Sequence, residues 1–301
     1  MSARRARWAL GVGVTAISFA AIFFKRAQPT PPLVAAGIRL GLAAILLAPF
    51  VVRAHIRRAW DAPLIRSALL GGSLYAVHFG AWVASLELIS VAASVTLVTA
   101  TPLFLALVAL GTGRDRPTPR HGAAIAVALL GVGLIGAAES GGGALLGDAL
   151  ALLGAIAMGL FMLVVRRHPK LDVLAFTGVA CGVGALLLLS AATLLGDPPL
   201  PPTPLAWRSL VLAALVPQLI GHGCLAWSLR ELTPTTVGLA TVAEPVGATL
   251  LAWLWLGEAP GALALAGCAV VLVAVAIALR ATPRPPVDPS PGGAGRGSGA
   301  L

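Results

Sequence analysis

TPTTVGLATVAEPVGATLLAWL, residues 235–256, is apolar for long enough to cross a bilayer and carries Glu244-Pro245 near its centre. About 20 helical residues span a hydrocarbon core of roughly 30 Å. An ionised side chain at that depth costs about 2.5–3.5 kcal/mol or more. Proline removes a backbone donor and loosens the helix beside it. A segment that only had to span would carry neither residue. The pattern therefore predicts a helix that borders a polar cavity.

The whole chain has this character. Of its 301 residues 58% are hydrophobic and only 11% charged, with a mean hydropathy of +0.94. Soluble domains are nearer half apolar and a quarter charged, so the composition is that of an integral membrane protein in a lipid bilayer. A net charge of +10 invites a nucleic-acid reading. The cations instead lie between apolar runs, where membrane topology places them. Cys181, Cys224 and Cys268 stand alone within apolar runs. They read as small packing residues, with no metal-ligand spacing and no implied cofactor.

Working outward, ten candidate spans emerge: 8–24, 33–52, 64–85, 91–111, 122–138, 144–165, 173–195, 207–229, 235–256 and 259–279. The first resembles a signal peptide, but it lacks an A-x-A site and runs into Lys25-Arg26, so it reads as a retained span. Pro- and Gly-rich turns, PTPP at 29–32 and GDPPLPPTP at 196–204, separate the runs. Trp8, Trp60, Trp207, Trp253 and Trp255 fall at or near span ends, as an aromatic belt requires. The expected organisation is a short cytoplasmic N-terminus (1–7), a first five-helix unit (8–138), a second (144–279) and a disordered tail (280–301).

Charge bias sets the expected orientation. With the N-terminus inside, seventeen Lys and Arg fall on the cytoplasmic side, among them Arg4, Arg53, Arg57, Arg114, Arg166, Arg167 and Arg280. Only Lys25, Arg26 and Arg208 fall outside, while Arg39 lies within a span. Both termini are expected in the cytoplasm.

The second half aligns on the first. A shift of 143 residues places Pro102 on Pro245, Ser85-Leu86 on Ser228-Leu229 and Asp115 on Glu258, with 8 identities over 79–117. Five spans per half is an odd number, so the halves must run in opposite senses. The fold class expected is an all-α membrane protein of two inverted five-helix repeats, an architecture of secondary transporters.

Several stretches carry a family resemblance. PQLIGHGCLAWSLREL from Pro217, TVAEPVGATLLAWLWLGEAPGALALAG from Thr241, GIRLGLAAILL around Arg39 and TPLFLALVAL from Thr101 together resemble EamA-type members of the drug/metabolite transporter superfamily. Where that family often has LGE in its first half, this chain has Thr112-Gly113-Arg114-Asp115. The resemblance implies a multi-pass protein of the bacterial inner membrane that exports small metabolites, amino acids or drugs, usually coupled to protons. A small-molecule importer or a lipid-linked carrier flippase are the alternatives on the same fold. An intramembrane enzyme is not expected, because HExxH, GxSxG and paired aspartates are all lacking.

The intramembrane polar residues are the candidate site. Glu244 lies about 2 Å from midplane at 1.5 Å per residue, either as a proton-titrating group or as a structural carboxylate paired with Thr241 one turn earlier. Gln218 and His222 share a face of span eight, lining a cavity or relaying protons. Tyr75, His78 and Trp82 form one aromatic face of span three that can bind an apolar or cationic group. Arg39 can hold an anionic substrate group, pair with Glu244, or snorkel to the headgroups. Pro102 and Pro245 mark helix breaks. Gly178 and Gly182 form a close-packing GxxxG pair within the bundle or in a homodimer. Asp115 and Glu258 are expected to cap helix ends.

Overall fold

The computed structural model describes residues 3–89, 91–112, 118–138, 145–168, 171–257, 259 and 261–280. Asp115, Glu258 and the tail from 281 lie outside the described residues. Every regular element is a helix. The first segment is split into α1 (Ala3–Ile17) and α2 (Ala20–Ala27), so helix already covers most of the expected leader 1–7. α3 (Pro32–Ile56) and α4 (Ala62–Leu88) are continuous. The fourth segment is split again, into α5 (Val91–Val98) and α6 (Thr101–Thr112), and α7 (Pro119–Ala138) ends the first half.

The second half opens with α8 (Leu145–Arg166) and α9 (Val173–Leu194). α10 (Pro204–Ala213) then runs through a π-helical segment, Ala214–His222, into α11 (Gly223–Ser228). The opening stretch of sequence is itself split, into α12 (Pro234–Thr241) and α13 (Glu244–Leu256), before α14 (Ala262–Arg280). Eight of the ten segments are long and apolar enough to cross a bilayer; α7 and α14 contain shorter apolar stretches, Pro119–Leu134 and Leu265–Ala274.

Sequence explains the ends. Asp61 and Asp172 accept from backbone amides of the first turns of α4 and α9, and Thr203 and Thr233 do so for α10 and α12. Proline occupies the first turn of α3, α4, α10, α12 and α13, where no amide hydrogen is needed. Gly257 closes α13 in the left-handed conformation, φ 74°, that glycine adopts without strain.

Helix pairing respects an exchange of the two halves. α3 packs on α9 and α7 on α14, each pair joining equivalent segments. α4 packs on α8 just as α10, the π segment and α11 pack on α1 and α2, and α6 packs on α12. Close approaches hold these seams. A Cβ on Gly178 would come within 2.7 Å of Val51, and one on Gly182 would meet Ala44 at 3.8 Å. The GxxxG pair therefore faces α3 of the same chain. Gly13 and Gly221 likewise let α1 and the π segment touch, a Cβ on Gly13 meeting the Gly221 carbonyl at 3.1 Å. Trp8, Trp207, Trp253 and Trp255 all lie on the exposed exterior.

Candidate functional site

The helix interruptions converge. α1 and α2 part at Ser18-Phe19, α5 and α6 at Thr99-Ala100, α12 and α13 at Val242-Ala243. The last two gaps are equivalent under the 143-residue shift and share their local bonding. Ala100 N–H donates to Leu97 O at 3.1 Å, and Ala243 N–H donates to Ala240 O at 3.1 Å, a tightened turn in both halves. Pro102 and Pro245 follow directly, and neither can supply an amide to the turn before it. Threonine hydroxyls take up freed carbonyls. Thr101 Oγ1 donates to Val98 O at 3.2 Å and to Ala155 O at 3.1 Å, and Thr241 Oγ1 donates to Gly238 O at 2.7 Å.

Between these breaks lies a cavity of about 30 Å³, room for one or two waters. Glu244, Thr241, Thr99 and Thr101 border it from the split segments, His78 and Trp82 from α4, and His222 from the π segment. Met158 and Met162 of α8 complete the wall with Ile17 and Ala20. Glu244 is half-buried here. Its expected partner Thr241 is committed to the Gly238 carbonyl, so a structural Thr241–Glu244 pair does not form.

The two histidines, far apart in sequence, meet at this cavity with ring centroids 6.1 Å apart. His78 Nδ1 lies 2.8 Å from Gly154 O. A carbonyl only accepts, so Nδ1 carries a hydrogen in this contact. Phe79 packs against both imidazoles, 4.4 Å from His78 and 5.1 Å from His222.

Beside the cavity sits a second layer of polar groups. Arg39 is 0% exposed, with its guanidinium 4.3 Å from the Phe79 ring centre and 5.5 Å from that of Phe24. None of its three nitrogens has a hydrogen-bond partner among the described residues. It neither snorkels nor hydrogen-bonds to Glu244, which stays within its Coulombic range. Tyr75 Oη, Trp82 Nε1 and Gln218 Oε1 are also buried without partners, although Tyr75 lies beside Gln218. Gln218 Nε2 donates to Cys181 Sγ at 3.5 Å. Cation–π contact offsets part of the desolvation of Arg39, but a buried cation without an acceptor is destabilising.

All eight polar and aromatic candidates thus fall in one central region. Sequence reasoning missed Phe24, Phe79, Met158, Met162 and the Ser18-Phe19 break. The methionines and phenylalanines look like any apolar span residue, and the break has no proline to announce it. A larger cavity, about 480 Å³, lies further along the same helices between α6, α8 and α12. Leu105, Ala109 and Thr112 line one wall, and Arg166 and Arg167 stand at its rim.

Residues 7–137 and 145–280 each match the EamA-like transporter family. This chain belongs to that family. The transporter is thereby a multi-pass membrane protein of the drug/metabolite transporter superfamily, built of two EamA repeats. Its fold resembles a solved crystal structure with a TM-score of 0.74, covering 92% of this chain and 97% of that one at 20% identity. At such identity the likeness speaks for the fold alone. No curated protein matches the transporter.

Proposed function

We propose that the transporter is a proton-coupled exporter of small molecules in the bacterial inner membrane, with ten spans in two inverted repeats and both termini in the cytoplasm. The observation that carries this reading is Glu244, a mid-span carboxylate without a hydrogen-bonding side chain, facing a cavity it shares with His78 and His222. Groups that change charge at the point where three split helices meet can bias which end of the bundle opens. Substrate reaches the centre from the 480 Å³ vestibule rimmed by Arg166 and Arg167. Leu105 lines the vestibule and Met162 the central cavity. Arg39, held without an acceptor, takes an anionic group of the substrate, while Trp82 and Tyr75 receive its apolar body.

The test starts with an export screen of labelled metabolites from cells with and without the gene. The substrate found is then followed in everted vesicles under an imposed pH gradient. Glu244→Gln keeps size and hydrogen-bonding capacity but cannot exchange a proton. It is expected to abolish gradient-driven flux while the protein remains folded. Undiminished proton-driven flux in that variant would rule out the coupling role.

A further inference from the structure

A cavity of about 470 Å³, which shares Arg167 with the vestibule but none of the residues around the central cavity, lies where the C-terminal ends of α3 and α8 meet the N-termini of α4 and α9. Arg53 and Arg57 of α3 line it from one side and Arg167, just after α8, from the other. All three side chains are exposed, and none forms an ion pair or side-chain hydrogen bond within the described residues. The two acids present are otherwise engaged: Asp61 Oδ1 accepts from Leu64 N–H at 2.8 Å, and Asp172 Oδ1 from Leu174 and Ala175 N–H at 3.1 and 3.2 Å. Each also sits on a positive helix end that offsets its charge. His168 is tied to Ser67 Oγ at 2.9 Å. Three free guanidiniums converge with little to neutralise them.

The same two arginines of α3 border a second depression. It is an apolar lane of about 670 Å³ along the outer face of α3, formed by Ile45, Pro49, Val52 and Ile56. Ile45 is 69% exposed and Ile56 74%, as a lipid-facing surface would be. A basic pocket that shares Arg53 and Arg57 with a neighbouring hydrocarbon lane matches one amphiphile: an acidic headgroup on an acyl chain. We propose that this pocket and lane form a binding site for an anionic phospholipid, with the phosphate between Arg53, Arg57 and Arg167 and a chain against Ile45, Pro49, Val52 and Ile56. A bound lipid would bridge α3 and α8, one helix from each repeat.

The site is tested on the full chain in detergent by native mass spectrometry. Three probes are added separately: a short-chain phosphatidylglycerol, the phosphatidylcholine of the same chain length, and inorganic phosphate. Saturable phosphatidylglycerol binding is expected, with much weaker phosphatidylcholine binding. Arg53→Gln with Arg57→Gln should lower the affinity by about 25-fold, at roughly fivefold per surface cation. If that pair fails to fold, Arg167→Gln alone tests the opposite wall, with about a fivefold loss expected. Val52→Asn should weaken the lipid and leave phosphate unchanged. Equal binding of the two phospholipids, or affinity unmoved by the arginine changes, overturns the proposal. Phosphate binding as tightly as the lipid overturns the lane and leaves a free-anion site. None of these readouts depends on transport.

Discussion

At the residue scale, Glu244 and Arg39 are the two charges the bilayer should have excluded, and they are satisfied in different ways. Glu244 borders space, whereas Arg39 lies between two aromatic rings with no hydrogen-bond acceptor among the described residues. Stability alone does not explain such a guanidinium, since a buried charge replaced by an apolar residue of similar volume is often neutral or stabilising by about 1–4 kcal/mol. Arg39→Met is therefore expected to unfold at the same or a higher temperature in detergent while losing transport. A large drop in thermal stability would instead make Arg39 a structural residue. Much of this site was legible in the sequence, because an ionisable residue inside a hydrophobic run is conspicuous wherever it falls. The pairing of those residues was not. His78 and His222 meet only because the tertiary fold brings the rings of α4 to that of His222, and nothing local to either histidine encodes the other.

At the scale of elements, the breaks divide into those with a proline beside them and one without. Pro102 and Pro245 withhold an amide from equivalent turns, so the gaps before α6 and α13 could be read from the prolines and their 143-residue spacing. The Ser18-Phe19 gap has no proline in its own segment. Ser18 Oγ donates to Val14 O at 3.0 Å, a back-bond that bends helices, and α1 and α2 pack against α13 at Gly247, where a Cβ would collide with Ser18. Pro217, inside the π segment, removes a donor there as well, yet the sequence alone did not distinguish a widened turn from a kink. Gly247→Ala should consequently destabilise the fold by about 1–3 kcal/mol through overpacking. Ser18→Gly in the same chain should restore most of the loss. Gly182→Ala, whose new methyl meets only Ala44 at ordinary distance, serves as the tolerated control. Thermal unfolding of the four proteins decides it, and an undisturbed Gly247→Ala would mean that the two breaks do not abut.

At the scale of the molecule, the exchange of halves seen in helix pairing says which helices are equivalent, and the proposed orientation rests on the distribution of charges. In the proposed topology the two repeats have five spans apiece and run antiparallel, and seventeen of the chain's cations then fall on one face. The arginines around the proposed lipid pocket, Arg53, Arg57 and Arg167, and those rimming the vestibule, Arg166 and Arg167, belong to that face. Orientation and the direction of substrate entry are thus linked: if the vestibule faces the cytoplasm, so does Arg280. A reporter fused after Arg280 should be active only in its cytoplasmic form, and one inserted at the turn containing Thr30 only in its external form. Both reporters on the same side would mean an even number of crossings between Thr30 and Arg280 in place of the expected nine, and would remove the topology of two five-span inverted repeats. Both reversed would keep the repeat, place the 480 Å³ vestibule outside, and turn the exporter into an importer.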